Sequence, residues 1–513
     1  MSTHRDVVIV GAGPVGLMLA TELRRQGTTV VVLEQLAAAT GESRASQLNA
    51  RTMEILDERD LLTDLNDAPR ETMGHFGGLP VPVDGAASPY AGLWKVPQFQ
   101  TEEILGRRAA QAGATVLRSC RFLAVSEVEG GLEVTVAGPA GERKLRCQYL
   151  VGCDGSGSRV RAAAGIDFAG QAARRRLLRA DVGGITVRNR RFEQTPRGLA
   201  VAARRPDGVT RIMVHEFGAR QPAPPPDFAD LLAVWTRVTG EDIGHGRPLW
   251  VDAFDDEARQ AVQYRRSRIL IAGDAAHQHM PIGGQALNLG LQDAVNLGWK
   301  LAAVIAGRAG EQLLDTYHAE RHPVAAAVIQ NVSAQAVLQL GGPEVGPIRE
   351  LLTEVLALPA AREQIVAGLS GLDVCYPVAL NRPAGPAGAL LGRRLPHLPV
   401  RVEGASRSTG HLLRTGKPVL LVLSGPRRAA LEAAWRPWAG QIELISARVN
   451  PGTALSDVDA VLIRPDGHLV WAVGDESADR VEQARFRAAV ERWFTAPDHS
   501  DYQSAPLTDR STV

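Results

Sequence analysis

The chain has only four cysteines in 513 residues, Cys120, Cys147, Cys153 and Cys375, and none of them forms a Cys-x-x-Cys pair or sits at metal-ligand spacing. That scarcity excludes a disulfide scaffold and thiol–disulfide exchange, suits a reducing compartment and predicts free thiols. Long apolar runs are missing too. None approaches the length a bilayer span needs, and no charged-then-apolar leader opens the chain, so a cytoplasmic location is expected. Nor does one charge predominate: 57 basic against 56 acidic residues leave a formal net charge of +1. Without a global field to gather nucleic acid or acidic membrane, the expected partners are small molecules, with no nucleic acid and no membrane. Repeats and low-complexity tracts are absent. The pair His277 and His279 lacks the third ligand that a metal site requires.

What is present is concentrated at the start, where residues 5–35 read RDVVIVGAGPVGLMLATELRRQGTTVVVLEQ. A β-branched run from Val7 to Val10 meets a turn with Gly11, Gly13 and Gly16, and a helical repeat follows through Leu19, Ala20 and Leu23. Gly11 permits the turn, Gly13 lets a pyrophosphate approach the backbone, and Gly16 lets the helix pack on the strand, while the helix N-terminus offers amides and a positive dipole. Glu34 closes the next apolar run, Val30 to Leu33, where it can accept bonds from both ribose hydroxyls. The unit reads as a clamp for the ADP part of FAD or NAD. The plainer alternative is an empty doubly wound fold.

With 45% hydrophobic residues, a chain of this length can bury two or three cores. After Glu34, the stretch from Gly41 to Leu62 suggests a loop feeding a short helix through Met53, Leu56 and Leu61. Residues 74–97 are rich in glycine and proline and read as an irregular excursion with short strands, after which a helix from about Thr101 to Ala112 leads to strands near 115–136. Strand-like segments around the hairpin signal Pro206-Asp207-Gly208-Val209, together with the run from Pro248 to Phe254, predict a separate sheet forming one wall of a pocket. A buried parallel strand is expected from Arg268 to Ala272, a long apolar helix from Gln285 to Ile305, and further helices over 311–370. Residues Arg382 to Pro399 have the composition of a linker. Beyond it, apolar strands at 418–423, 442–449, 460–464 and 468–473 suggest a small α/β unit.

Two further motifs narrow the dinucleotide to FAD. Asp154 and Gly155 open a glycine turn after the strand Tyr149 to Gly152, followed by Arg159 and Arg161; an ordinary surface turn with a solvated charge pair explains this equally well. Gly273-Asp274-Ala275-Ala276-His277 follows a buried strand and precedes Pro281, Gly283, Gly284 and a helix starting near Gln285. An acid there can bind ribitol hydroxyls, and the helix N-terminus would stabilise an anionic reduced flavin. A plain strand-to-helix turn explains Asp274 but not the ordered glycines.

With these three motifs in order, the chain resembles the single-component flavoprotein aromatic monooxygenases typified by para-hydroxybenzoate hydroxylase. Within that group it is most similar to the aromatic polyketide hydroxylases of angucycline and anthracycline pathways, through SRASQLNARTMEILDERDLL, GHFGGLP, VPQFQTE and GDAAHQHMPIGGQALNLGLQDAVNLGWKLA. The resemblance covers nearly the whole chain. It implies an α/β fold: a Rossmann-type FAD-binding domain in two parts, 1–175 (with the excursion 74–97 directed to the substrate pocket) and 266–385, and a β-sheet substrate domain at 176–265. A linker at 386–398, a thioredoxin-like domain without Cys-x-x-Cys at 399–497 and a disordered tail at 498–513 would follow. The last domain is expected to serve packing or dimerisation, in a monomer or homodimer.

The resemblance also implies tightly bound, non-covalent FAD, transient NADPH as reductant and O2 as co-substrate. Oxygen adds at the flavin C4a, and the hydroperoxide delivers it to an electron-rich ring, so no side chain is expected to be catalytic. Gly11, Gly13, Val15 and Gly16 would hold the pyrophosphate, Glu34 and Gln35 the adenosine side, Arg44 the diphosphate, and Gln98 and Asp274 the ribityl chain. Asp154 and Gly155 would support the cofactor, and Pro281, Gly283, Gly284, Gln285, Ala286, Leu287 and Asn288 would line the isoalloxazine. Ala286 stands where the family often has glycine, so its methyl could alter flavin mobility. Phe76, Trp94, His215, Phe217 and Trp250 are candidates for a broad aromatic pocket, although a buried aromatic is more often core than ligand contact. His277 and His279 are read as structural or positioning residues, and Arg174 to Arg176 and Arg188 to Arg191 as largely solvated. The expected activity is hydroxylation of a polycyclic aromatic polyketide. Baeyer–Villiger oxygenation, hydroxylation coupled to reduction, a non-oxygenating FAD reductase and a flavin-free scaffold are the alternatives.

Overall fold

The computed structural model describes residues 4–39, 45–65, 67–205, 207–219, 225–378, 385–423, 428–474 and 479–494. Arg44, Pro206 and the tail 498–513 lie outside the described residues, as does part of the proline cluster before Pro226. Helices are numbered in chain order: α1 (Pro14–Arg25), α2 (Ala50–Asp57), α3 (Gln98–Gln111), α4 (Arg159–Ala163), α5 (Phe228–Thr239), α6 (Gln285–Ile305), α7 (Gln312–Leu340), α8 (Gly346–Ala357), α9 (Pro359–Ser370), α10 (Gly385–Leu390), α11 (Arg428–Trp435) and α12 (Asp479–Phe494).

The run that opens the chain forms the strand His4–Val10, parallel to Val30–Leu33 on one side and to Gly141–Gly152 on the other. Ile269–Ile271 extends this parallel centre, so the segment that returns after residue 266 rejoins the sheet begun by the first strand. Val7, Val8, Ile9, Val32, Leu150, Val151, Leu270 and Ile271 are all buried, which is why these strands read as unbroken apolar runs rather than alternations. Burying each such side chain contributes about 1.5–3 kcal/mol. Helix α1 packs on this layer against α3 and α6. Gly298 of α6 faces Glu22 and Leu19 of α1, and its missing side chain permits that close approach.

The second sheet is antiparallel, in the order Arg190–Thr195, Gly198–Arg204, Thr210–Glu216, Arg176–Gly183, Arg247–Asp255. Its alternation is clear. Leu178, Ala180, Val182, Ala200, Ala202, Ile212 and Val214 point to one face and pack under Leu231, Trp235 and Val238 of α5. That helix starts at an Asp227–Asp230 capping box and stops at Gly240, whose φ of 76° is left-handed. The opposite face is left for other use. The C-terminal unit is a six-stranded sheet in the order Ala405–Ser408, Pro399–Val402, Glu443–Val449, Val419–Val422, Ala460–Ile463, Leu469–Val473. Only the pair Val419–Val422 and Glu443–Val449 is parallel within it. No single helix among the described residues is long and apolar enough to cross a membrane.

The segment 386–398 is corrected from a linker to a structural element. Most of α10 lies within it, Ala387, Leu391 and Leu395 are buried, and the buried Arg394 pairs with Glu58 at the end of α2. Its glycines and prolines shape turns in packed backbone. Arg394 belongs to a chain of buried charges. Arg59 bridges Glu58 (2.7 Å) and Glu22 (2.9 Å), and Arg394 also donates to the Asp466 carbonyl. Arg464 holds Asp466 (2.5 Å) and Glu320 of α7 (2.6 Å), and Lys300 of α6 closes on Glu320 at 2.7 Å. The C-terminal unit is therefore joined to the first sheet layer through ions as well as apolar contact.

This network sets the response to acid. Burial opposes ionisation of Glu320, yet Arg464 and Lys300 hold its carboxyl at about 2, and burial pushes His468 down to about 4. An unfolded chain binds protons at its histidines near 6.5 and at its glutamates near 4.5, where these folded groups do not. The unfolded state thus binds more protons, and stability falls as the pH is lowered through both windows. The denaturation midpoint is expected to be flat between about 6.5 and 8, to decline toward 4 through His468, and to drop further below 4.5 through Glu320. A midpoint that rises on acidification over that range contradicts it.

Candidate functional site

The three glycine turns meet at the carboxyl ends of the parallel strands, where α/β sheets bind ligands. An added Cβ at Gly11 (φ +104°) would lie 2.2 Å from the Cys153 carbonyl oxygen, so the first turn rests directly on the Asp154–Gly155 turn. Val15 in the first turn of α1 packs against Gly273 and Gly290, where a Cβ would come within 2.9 and 2.7 Å of its side chain. The Gly273 turn is thereby held against the first. Arg161 ties the second turn to the third, donating to the Ala275 carbonyl (2.9 Å) and to that of Ser156 (2.8 Å) while stacking 3.7 Å from the Phe168 ring centre.

The space before α1 fits a dinucleotide. Gly13 is the N-cap with no side chain closing the helix, and a Cβ there meets no heavy atom within 4 Å, so the first-turn amides face an open cradle. Glu34 stands at its far side, half-buried, accepting from the amides of Ala12 (2.9 Å) and Leu36 (2.9 Å). Each oxygen keeps acceptor capacity for a hydroxyl. Gln35 and Asp274 are exposed, and Gly155 has φ +81° with open space beside it. The Asp154 carboxylate turns inward, accepting from Ser158 Oγ (2.5 Å) and from the Arg159 amide (2.7 Å) at the start of α4. Its visible work is to shape the turn, the alternative weighed against direct cofactor contact.

At the third turn, Gly283 and Gly284 both have left-handed φ, near 69° and 67°, and Gly284 is the uncapped N-terminus of α6. Pro281 is exposed, while Ala286 and Leu287 are half-buried around this opening. Asn288 is fully occupied. It donates to the carbonyls of Gln47 (3.1 Å) and Gly284 and accepts from the Asn49 amide (3.0 Å), so it anchors the helix start to the entry of α2. Gln285 donates to Asn331 (3.3 Å), and Gln98 accepts from the Ala45 amide (3.2 Å) while donating to Glu102 (2.8 Å).

Behind this turn is a cluster that sequence reading missed as a unit. Asp293 of α6 accepts from His277 (2.6 Å), Arg321 (2.7 Å) and the Gly273 amide (3.1 Å), all buried. Against the burial that opposes it, His277 and Arg321 hold the Asp293 carboxyl below the usual carboxylate range. His277 is thus a positioning residue for the turn. Burial pushes His279 down to about 4, which keeps it neutral. The legible signal was Asp293 itself, an acid on the inward stripe of an apolar helix.

The predicted aromatic residues do not form one pocket. Phe76 is buried in a side cluster with Val81, Leu338, Val366 and Leu369. Trp94 donates to the Tyr90 carbonyl (2.9 Å) and is half-buried against the main core. His215 is buried, and its ring nitrogens lie 2.7 Å from the Arg176 carbonyl and 3.1 Å from that of Leu340, to one of which a neutral imidazole donates. Phe217 packs edge-on beside it at 5.8 Å. Trp250 lies on the face of the antiparallel sheet opposite α5, as its pairing with Asp181 requires. The arginines read as solvated are corrected in part, since Arg176 pairs with Asp255 (2.7 Å) and Arg190 is buried with Glu241 (2.5 Å).

The sheet face opposite α5 reaches the third turn. Leu177, Leu199, Met213 and Phe254 cluster with Met280 and Ile282, immediately before Gly283, and with Val332, Ala336 and Leu340 of α7. Among the described residues no His, Cys, Asp and Glu group could hold a metal ion.

A doubly wound sheet with three converging glycine turns and a second sheet facing the third of them defines an FAD-dependent flavoprotein. The chain belongs to the FAD binding domain family, whose profile matches residues 4–332, and residues 388–497 match the aromatic-ring hydroxylase C-terminal family. It is 40% identical over 520 residues to the 12-dehydrotetracycline 5-monooxygenase/anhydrotetracycline 6-monooxygenase of Streptomyces rimosus, covering 96% of this chain and 99% of that one. A rifampicin monooxygenase of Streptomyces venezuelae is 36% identical over 489 residues, 92% and 96% of the two chains. The solved structure of CabE, an aromatic hydroxylase from angucycline biosynthesis, superposes with a TM-score of 0.89 at 42% identity, covering 96% and 100%. This protein is an FAD-dependent monooxygenase that uses O2 and NAD(P)H.

Proposed function

We propose that the protein hydroxylates a ring carbon of a polycyclic aromatic polyketide, with NADPH as the reductant. The observation that carries this reading is the apolar sheet face of Leu177, Leu199, Met213 and Phe254, set against Met280 and Ile282 beside the third turn. A flat, electron-rich ring system suits that floor. The tetracycline and angucycline names of its relatives point the same way.

In this reading Gly11, Gly13, Val15 and Gly16 hold the FAD pyrophosphate on the α1 amides, Glu34 and Gln35 the adenosine side, and Gln98 and Asp274 the ribityl chain. Asp154 and Gly155 shape the supporting turn, and residues 281–288 border the ring system. When bound, FAD supplies the redox chemistry, taking a hydride equivalent from NAD(P)H and activating O2. The chain's task is to keep water from that reaction and to aim the substrate carbon, with the aliphatic floor excluding solvent and Asn288 fixing the α6 terminus. We read the C-terminal unit as a thioredoxin-like packing module without redox activity, from its one parallel pair, its terminal antiparallel pair and its lack of Cys-x-x-Cys.

The deciding experiment incubates the yellow enzyme with NADPH, labelled O2 and tetracyclic quinones. Expected is one labelled oxygen on a ring carbon; a lactone product selects Baeyer–Villiger oxygenation, and an unlabelled reduced product selects the reductase. Glu34→Ala combined with Asp274→Ala is expected to give folded but colourless protein after gel filtration, because both polyol contacts are lost. Undiminished flavin absorbance would remove those roles.

A further inference from the structure

The sheet face that approaches the third turn is graded in rows, because residues paired across antiparallel strands share a face. The inner row is Leu177, Phe254 and Leu199 with the buried His215, which burial keeps neutral, the next is Arg179, Asp252, Met213 and Val201, and the outer one is Asp181, Trp250, Arg211 and Ala203. Rows lie roughly 6.6 Å apart along the strands. Arg179 is the first charge met on leaving the apolar floor.

Its setting combines two aromatic rings with a loosely held carboxylate. The guanidinium lies 4.1 Å from the Phe254 ring centre and 4.6 Å from that of Trp250, and the side chain is 5% exposed. Its carboxylate partner is distant, Asp252 at 3.4 Å and itself 39% exposed, whereas Arg176, Arg190 and Arg211 on the same sheet hold theirs at 2.5–2.8 Å. Asp181, which also faces this region, is taken by Arg211 and Arg205 and by the Trp250 indole N–H. The Arg179 Nε is buried and has no hydrogen-bond partner among the described residues. Burial first, and the Arg211 charge next, lower this arginine to about 10, which leaves it charged at neutral pH. A charged donor with an open N–H, flanked by two rings, lacks one acceptor.

We propose that Arg179 supplies the recognition of a ring-borne oxyanion, a phenolate, enolate or carboxylate, while the rings of the substrate lie on the inner row; this rests on the polycyclic-substrate reading above. Arg179 is thereby a specificity residue, selecting ring systems that carry a negative oxygen about one row from the carbon to be oxidised.

Anthraquinone-2-carboxylate and its neutral carboxamide are suitable probes, with dissociation constants read from the perturbed flavin absorbance of FAD-loaded enzyme. The wild type is expected to prefer the carboxylate by about tenfold or more, as for a hydrogen bond between charged partners. Arg179→Met should erase that preference while leaving the carboxamide constant within roughly twofold, and Arg179→Lys should recover part of it. Melting midpoints of the variants report folding separately. Equal affinity of the wild type for both probes, or equal weakening of both in Arg179→Met, overturns the role of Arg179 alone. Failure of the wild type to bind either probe overturns the polycyclic reading and this proposal with it.

Discussion

Gly13→Ala is expected to leave the apoprotein as stable as the wild type but to weaken its hold on FAD, whereas Gly16→Ala is expected to lower both stability and FAD affinity. The two glycines lie in one turn and differ in what surrounds them. At Gly13 the backbone φ of −74° is ordinary for any residue, and an added Cβ meets no heavy atom within 4 Å. The new methyl therefore disturbs no protein contact and occupies only the cradle that a pyrophosphate must enter. At Gly16 the Cβ would sit 2.0 Å from the Gly11 carbonyl oxygen and 3.4 Å from the Cys153 Cβ, and a backbone atom cannot yield as a flexible side chain can. Helix α1 must move off the strand. Overpacking of this kind costs about 1–3 kcal/mol or more, and the same loss at the phosphate cradle weakens FAD by about tenfold to a hundredfold. Flavin titration paired with thermal melting of the apoproteins checks both statements. Equal melting losses in the two variants would contradict the assignment of Gly13 to the cofactor.

Arg464→Met is expected to destabilise the holoenzyme by about 3–5 kcal/mol, the usual cost of removing one partner from a buried ion pair. Arg464 is fully buried, and its loss strands Glu320 and Asp466, leaving Lys300 and Asn296 near the first and His468 and Asn296 near the second. At roughly 2–4 °C per kcal/mol for a large domain, the melting midpoint should fall by about 10 °C. Combining it with Asp466→Asn should recover part of the loss, since the stranded carboxylate goes while the Lys300–Glu320 pair stays intact. A midpoint unchanged by Arg464→Met would mean that water already reaches these groups.

The elements that sequence patterns located best are those whose period is unambiguous. The helix from Gln285 to Ile305 was delimited as observed, and the strands over 418–423 and 460–464 were placed within a residue or two, since apolar runs between turn signals have few alternatives. The glycine turns were legible because their residue types answer to backbone geometry, as the positive φ at Gly11, Gly273, Gly283 and Gly284 bears out. Long-range partners were not legible. Nothing local to Arg394 announces a pairing with Glu58, far away in sequence, and a glycine- and proline-rich composition is shared by loose spacers and tightly turned packed backbone. The surroundings of His215 were not legible for a related reason: an aromatic residue on a strand looks the same whether its ring meets a ligand or backbone carbonyls. Asn288 was correctly placed at the third turn, but its side chain ties protein to protein.

The buried charges that cross from α1, α2, α6 and α7 into the C-terminal sheet limit how this protein can be recombined. Glu58 and Glu320 reside before residue 321, while Arg394, Arg464 and Asp466 come after residue 393. A hybrid enzyme that borrows its last third from a relative inherits a mismatched set of acids and bases unless those five positions travel together. Shuffling crossovers placed between residues 371 and 393 should therefore yield soluble progeny only when the donor carries the same complement.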